Sequence, residues 1–230
     1  YQVDGTKLPF YLDLGLQAMK IGEEAQIALN EFSLSGGKRA DLRQAWRRAQ
    51  REQLTFEVLS GEALHAALAQ LEAISNDWLA RKNTGEKGFS VGHFDRDYIT
   101  ASPCAVIRHQ GVIVAFANLW LGAAKREMTV DLMRYGAKAP SGSMDYLFVE
   151  ILPCGQAQGY QWFNLGMAPL AGLEHHPLAP VWHRLGSFVF RHGEHFYNFE
   201  GVRAYKQKFD PVWQPRYLAT PGGFDAARVL

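Results

Sequence analysis

The run CAVIRHQGVIVAFANLWL, residues 104–121, constrains the fold more than any other stretch of this chain. It is rich in β-branched and apolar residues on both sides of His109-Gln110-Gly111, where glycine can supply the positive φ of a tight hairpin turn. A third strand follows in MTVDLMRY (128–135), then a helix in MDYLFVEILPCGQAQG (144–159), then a strand in QWFNLGM (161–167). A helix joining two strands is a crossover, and it sets those strands parallel. Three antiparallel strands, a crossover helix and a parallel strand predict a mixed α/β sheet rather than a doubly wound one. Pro153 lacks an N–H group and is expected to end or kink the helix.

The flanking segments extend the pattern. LTFEVLS (54–60) reads as a strand, EALHAALAQLEAISNDWLARK (62–82) as an amphipathic helix and DRDYITAS (95–102) as a short helix. APVWHRLGSFVF (179–190) reads as a helix, and HFYNFEGVRAYKQKF with RYLATP as closing strands or a short helix plus a strand. SLSGGKRAD (33–41) is a linker by composition, leading into a helix over 40–53 whose apolar stripe is Leu42, Ala45, Trp46 and Ala49. Three domains are expected: a remnant of a preceding unit at 1–32, the linker and basic helix at 33–53, and the main domain at 54–230. With no initiator Met, the chain reads as a fragment of a longer protein. The element order resembles the fold of the Gcn5-related N-acetyltransferases, whose third strand and following helix N-terminus frame the catalytic crevice.

At 230 residues and 47% hydrophobic, the chain can bury one or two cores. A net charge of +1 argues against polyanion binding over the whole surface and leaves only local patches. Cys104 and Cys154 sit in apolar surroundings and read as reduced core residues. No apolar run approaches the length of a membrane span.

Within MTVDLMRYGAKAPSGSMDYLF (128–148) stand the charged residues Asp131, Arg134 and Asp145. Unpaired burial of a charge costs several kcal/mol, so they either pair to lock a core or line a pocket that needs charge. On a regular strand Asp131 and Arg134 face opposite ways, so sharing one pocket requires a bulge or a splayed strand end. Acetyltransferases carry a glycine-rich loop at this point for the coenzyme A pyrophosphate. Here the loop reads APSGSMD, and Asp145 would repel a pyrophosphate, which implies another acyl donor.

A second feature is GGKRADLRQAWRRAQRE. Arg39, Arg43, Arg47 and Arg51 recur every four residues, with Lys38 and Arg48 beside them. This is either a solvated basic face or a phosphate-tracking surface for RNA or an anionic membrane. Near the C-terminus, Glu200, Arg203, Lys206 and Lys208 lie among aromatics. The histidines at 175, 176, 183, 192 and 195 fit no zinc spacing, so no metal and no cofactor are expected.

Six stretches together resemble the catalytic domain of the bacterial multiple peptide resistance factor family, the aminoacyl-phosphatidylglycerol synthases. They are LGLQAMKIGEEA (14–25), FSVGHFDRDY (89–98), VAFANLW (114–120), VDLMRYGAKAPSGSMDYLF (130–148), FNLGMAPLAG (163–172) and FYNFEGVRAYKQKFDPVWQPRYL (196–218). The resemblance implies a dual acetyltransferase-like architecture, of which this is the second unit, attached to an N-terminal membrane domain. It implies transfer of an aminoacyl group from aminoacyl-tRNA to phosphatidylglycerol at the cytoplasmic face of the inner membrane, alanyl favoured over lysyl. The product would carry less negative charge and so resist cationic antimicrobial peptides. Asp131, Arg134 and Lys206 are then the expected catalytic residues, approaching one crevice. Asp145, Asn164, Met167, Tyr197 and Glu200 are expected to bind substrate, and Lys38, Arg39, Arg43, Arg47, Arg48 and Arg51 to meet tRNA or phosphate. The competing readings are a peptidoglycan-type aminoacyltransferase, an N-acetyltransferase, and a non-catalytic tRNA- or membrane-binding module.

Overall fold

The structure, a computed structural model, describes residues 1–82, 93–173 and 199–221. Within it the chain divides into two compact units, one of residues Ala28–Asn164 and one of Tyr1–Ile27 with Leu165–Leu230. The expected boundaries at 32/33 and 53/54 are therefore not where the chain divides. The reason is strand pairing that local composition does not reveal.

The central unit begins with α2 (Ala40–Arg51), β3 (Leu54–Leu59), α3 (Gly61–Lys82) and α4 (Arg96–Thr100). The hairpin β4 (Cys104–His109) and β5 (Val112–Leu121), then β6 (Glu127–Tyr135), α5 (Ser143–Ala157) and the start of β7 (Trp162–Pro169) follow. Its strands lie in the order β7-β6-β5-β4-β3. All neighbours are antiparallel except β6 and β7, which run parallel as the crossover requires. The hairpin turns through Gln110 and Gly111, both at positive φ. This is the acetyltransferase-like mixed α/β order.

Helices cover both faces of these strands. Leu64, Leu68, Leu71 and Ile74 of α3 bury against Phe116 of β5 and Leu132 of β6, with Tyr98 of α4 packed at the margin. On the other face α5 buries Leu147, Phe148, Ile151 and Leu152. Gly155 lets α5 approach closely, because an added Cβ would run into Met128 Sδ of β6 and lie 3.2 Å from Leu29 Cδ1. Of the two outcomes expected at Pro153, an end or a kink, the end is not found: α5 runs through it. Pro153 is on the exposed side of the last full turn, while the helix is held by the apolar residues before it. Packing outweighs the lost backbone bond.

The other unit is built from both ends of the chain. β1 (Gln2–Asp4) and β2 (Gln17–Ala28) both pair antiparallel with β8 (Val212–Thr220), and the order is β1-β8-β2-β7. Residues 1–27 thus complete a sheet with the C-terminal strand and form no separate domain. Between β1 and β2 lies the short α1 (Leu8–Asp13), and before β8 lies α6 (Phe199–Gln207). Of the two C-terminal alternatives, the helix plus strand is the one found. The expected helix at 179–190 lies outside the described residues.

Candidate active site

The site in the central unit is made by an irregularity in β6. Pairing with β5 runs Leu119↔Val130 and then Ala117↔Met133, so Asp131 and Leu132 together oppose the single residue Asn118. Such a bulge turns both inserted residues toward one side and shifts the alternation beyond them. Asn118 is fully buried, and its Oδ1 accepts a hydrogen bond from the Leu132 N–H at 2.7 Å. The side-chain acceptor replaces the strand partner that the bulge removes.

The consequence falls on the charged residues. Leu132 packs into the α3 core, the Tyr98 hydroxyl of α4 donates to Asp131 Oδ2, and the Arg134 guanidinium lies 4.1 Å over the Trp78 ring of α3. Asp131, Leu132 and Arg134 therefore all face the α3–α4 side, which regular alternation would forbid. The contacts of Asp131 and Arg134 run to different helices. Burial first, then the Asp131 carboxylate, push the Tyr98 hydroxyl up to about 12, with Asn118 and Trp120 opposing. Tyr98 thus stays protonated and donates to the carboxylate at any ordinary pH. Asp95 caps α4 by accepting from the Tyr98 N–H at 2.8 Å, which fixes the ring's approach.

Beside Tyr98 opens a cavity of about 490 Å3, lined by Tyr98, Ser102, Trp120, Glu127 and Thr129 among others. Trp120 meets Tyr98 edge to face, with ring centroids 6.2 Å apart. Asn164 is buried at the start of β7 and donates from Nδ2 to Glu127 Oε1 at 3.3 Å, while its carbonyl accepts from Thr129 Oγ1 at 2.7 Å. Asp145 is half-buried in the first turn of α5, where a negative charge suits the helix dipole. Gly142 precedes that turn at φ 87°, a conformation that glycine adopts without strain.

Lys206, Met167 and Glu200 belong to the other unit. Lys206 of α6 is half-buried and donates from Nζ to the Met167 carbonyl at 2.7 Å. Burial lowers its pKa to about 8, with Glu24 pulling the other way. Met167 contributes a backbone acceptor to this contact. Arg203 pairs with Glu23 at 2.9 Å and lies 4.3 Å over Trp213. Glu200 is exposed in the first turn of α6. Tyr197 and the five histidines between 175 and 195 lie outside the described residues.

The basic helix is only partly outward. The Arg39 guanidinium sits 4.7 Å over Phe32 and donates to the Ser33 carbonyl at 2.5 Å. Arg43 donates to the Leu34 carbonyl at 2.7 Å and to that of Gly36. These two tie the 33–36 loop to α2. Arg48 pairs with Glu52 at 3.3 Å, and Lys38, Arg47 and Arg51 are exposed. Leu42 and Ala49 of the predicted stripe are buried. Trp46 is 38% exposed, with its indole N–H on Glu150 of α5 at 3.1 Å.

Sequence reasoning missed Tyr98, Asn118, Trp120 and the lining residues Ser102, Glu127 and Thr129. One signal existed: Asn118 is the lone polar residue in the most apolar strand. Among the described residues no group of three or more His, Cys, Asp or Glu could hold a metal ion, and no helix is long and apolar enough to cross a membrane.

The central unit combines an acetyltransferase-like sheet with a bulge-aimed carboxylate that accepts from the cavity-lining Tyr98. Comparison with known proteins gives the family. The family model described as phosphatidylglycerol lysyltransferase, C-terminal, matches residues 1–220, and the chain belongs to that family. It is 40% identical over 221 residues to the phosphatidylglycerol lysyltransferase of Bacillus subtilis (strain 168), covering 95% of this chain and 26% of that protein. The protein of the same name from Staphylococcus aureus (strain COL) is 34% identical over 219 residues, with the same coverage. Among solved structures, the C-terminal domain of a protein described as a lysylphosphatidylglycerol synthetase from Agrobacterium fabrum is 48% identical, with a TM-score of 0.85. L-PGS from Bacillus licheniformis is 39% identical, with a TM-score of 0.81. Each solved match covers all of this chain and 69% of the other. The chain spans about a quarter of the length of the curated relatives it matches.

Proposed function

We propose that this domain transfers an aminoacyl group from aminoacyl-tRNA to a glycerol hydroxyl of phosphatidylglycerol. One ester is exchanged for another: the lipid oxygen bonds to the acyl carbon, the tRNA ribose oxygen leaves, and the lipid hydroxyl proton ends on the ribose. The observation that carries this reading is the Tyr98–Asp131 pair, aimed by the bulge beside the cavity. Such a carboxylate can accept the glycerol proton or hold the α-ammonium of the amino acid. Arg134, planar and permanently charged, is suited to orient the ester and its developing oxyanion. For Lys206, which stands in the other unit, we propose a donor role toward the ester. Asp145, Asn164, Met167, Tyr197 and Glu200 remain the proposed substrate contacts.

The outward arginines of α2, Arg47, Arg48 and Arg51, offer phosphate contacts to the tRNA or the anionic bilayer. The free ammonium of the product offsets the lipid phosphate charge, which would weaken attraction of cationic peptides to the membrane. A bilayer acceptor and a tRNA donor place the reaction at the cytoplasmic membrane face, in a longer protein that carries a membrane domain. Both alanyl transfer, expected from the sequence, and lysyl transfer, named in the relatives, satisfy this chemistry.

The test uses the full-length protein with charged tRNAs and phosphatidylglycerol vesicles, followed by lipid extraction. An alkali-labile aminoacyl lipid is expected. Asp131→Asn should lower its yield by about 10²–10³ with the thermal midpoint unchanged. An acid-stable amide in the water phase would support the peptidoglycan-type reading, and a collapsed midpoint would make Asp131 a core lock.

A further inference from the structure

The cavity beside Tyr98 has an acidic residue in its wall, Glu127, while Asp131 accepts from the hydroxyl of the lining Tyr98. Glu127 opens β6, and Glu127, Thr129 and Asp131 occupy alternate positions, so they lie on one face of the strand. Met128 between them faces α5, as its approach to Gly155 shows. Four strand rises set the Cα atoms of Glu127 and Asp131 about 13 Å apart. Glu127, Thr129, Tyr98, Trp120 and Ser102 line the space between. Asn164 holds one oxygen of the Glu127 carboxylate at 3.3 Å. Ser102 Oγ, buried, has no hydrogen-bond partner among the described residues.

We infer that Glu127 is a specificity-determining residue, reading the side-chain ammonium of a lysyl-type aminoacyl group whose α-amino end lies toward Asp131. The inference rests on the aminoacyl transfer proposed above. A lysyl group carries an α-ammonium on Cα and a second ammonium at the end of a four-carbon stem, and the row offers a carboxylate for each. The Tyr98 and Trp120 rings suit the stem and the cation, since aromatic faces take both methylenes and ammonium groups. Ser102 adds a neutral acceptor. An alanyl group ends in a methyl and leaves Glu127 facing an empty cavity.

The experiment compares Glu127→Gln with the parent full-length protein, using lysyl-tRNA and alanyl-tRNA with phosphatidylglycerol vesicles. Gln keeps the shape and the Asn164 contact but removes the charge. Lysyl transfer should fall roughly tenfold to a hundredfold, the effect of losing a charged hydrogen bond, while alanyl transfer is unchanged. In parallel, calorimetry measures lysine methyl ester and norleucine methyl ester, which differ only in the distal ammonium. The parent protein should bind the lysine ester more tightly by a similar factor, and Glu127→Gln should erase the difference. Equal binding of the two esters by the parent protein, or equal losses with both tRNAs, overturns the inference. If neither tRNA supports transfer, the proposed function fails, and the ester comparison still decides Glu127.

Discussion

Replacing Asn118 by Ala tests whether one carboxamide sets the geometry of the site. The change strands the Leu132 N–H, a buried donor now without its 2.7 Å acceptor, at about 1–3 kcal/mol. The lost carboxamide leaves a void of roughly 30 Å3, adding about 0.7 kcal/mol at about 24 cal/mol per Å3. The sum is about 3 kcal/mol, which for a domain of this size lowers the thermal midpoint by roughly 6–12 °C. Urea unfolding of Asn118→Ala beside the parent measures it directly. Aminoacyl transfer should fall further than the lost stability explains, because the bulge that aims Asp131 loses its pin. A variant within about 0.5 kcal/mol of the parent, the range of an ordinary surface substitution, with full transfer, would refute the argument. The bulge would then be held by the strand pairing on either side.

Four further outcomes follow from the described contacts. Arg47→Glu with Arg51→Glu should weaken binding of tRNA or anionic vesicles at low salt and reduce the salt slope, with no change in midpoint. Arg43→Glu should lower the midpoint instead, since Arg43 holds the 33–36 loop. The lowered pKa of Lys206 means that the unfolded chain binds the extra proton between pH 8 and 10.5. Stability should therefore rise with pH across that window relative to Lys206→Met, measured as midpoint against pH. Gly155→Ala should cost about 1–3 kcal/mol by overpacking α5 on Met128, read from urea unfolding.

The parts of the fold legible in the sequence were those with local signals. The hairpin turn at Gln110-Gly111, the α3 periodicity and the β6–α5–β7 crossover each follow from patterning within about twenty residues. At Pro153 the helix does not end, because the packing of Leu147 to Leu152 outweighs the lost backbone bond. The pairing of residues 1–27 with β8 carries no local signal at all. Asp131 and Arg134 were legible as charges out of place, but the device that turns them the same way depends on a register shift against β5. Tyr98 reaches Asp131 from α4, 33 positions away in sequence, and only tertiary packing reveals that contact. The arginine row was legible as a charge pattern, yet its first two members turned inward because carbonyls of a neighbouring loop were in reach.

The two-ended unit has a kinetic consequence. Glu24 and Arg216, joined by an ion pair, stand 192 positions apart, and the β2–β8 ladder links the same distant segments. During synthesis β2 leaves the ribosome long before its partner exists, whereas Ala28–Asn164 holds all of its own contacts in one contiguous stretch. That stretch can condense first, while β1 and β2 wait as unpaired strands exposed to aggregation. Loop closure over so long a separation makes the last step the slow one. Refolding should show a fast phase in the middle of the chain and a slow phase reported by Trp213 of β8.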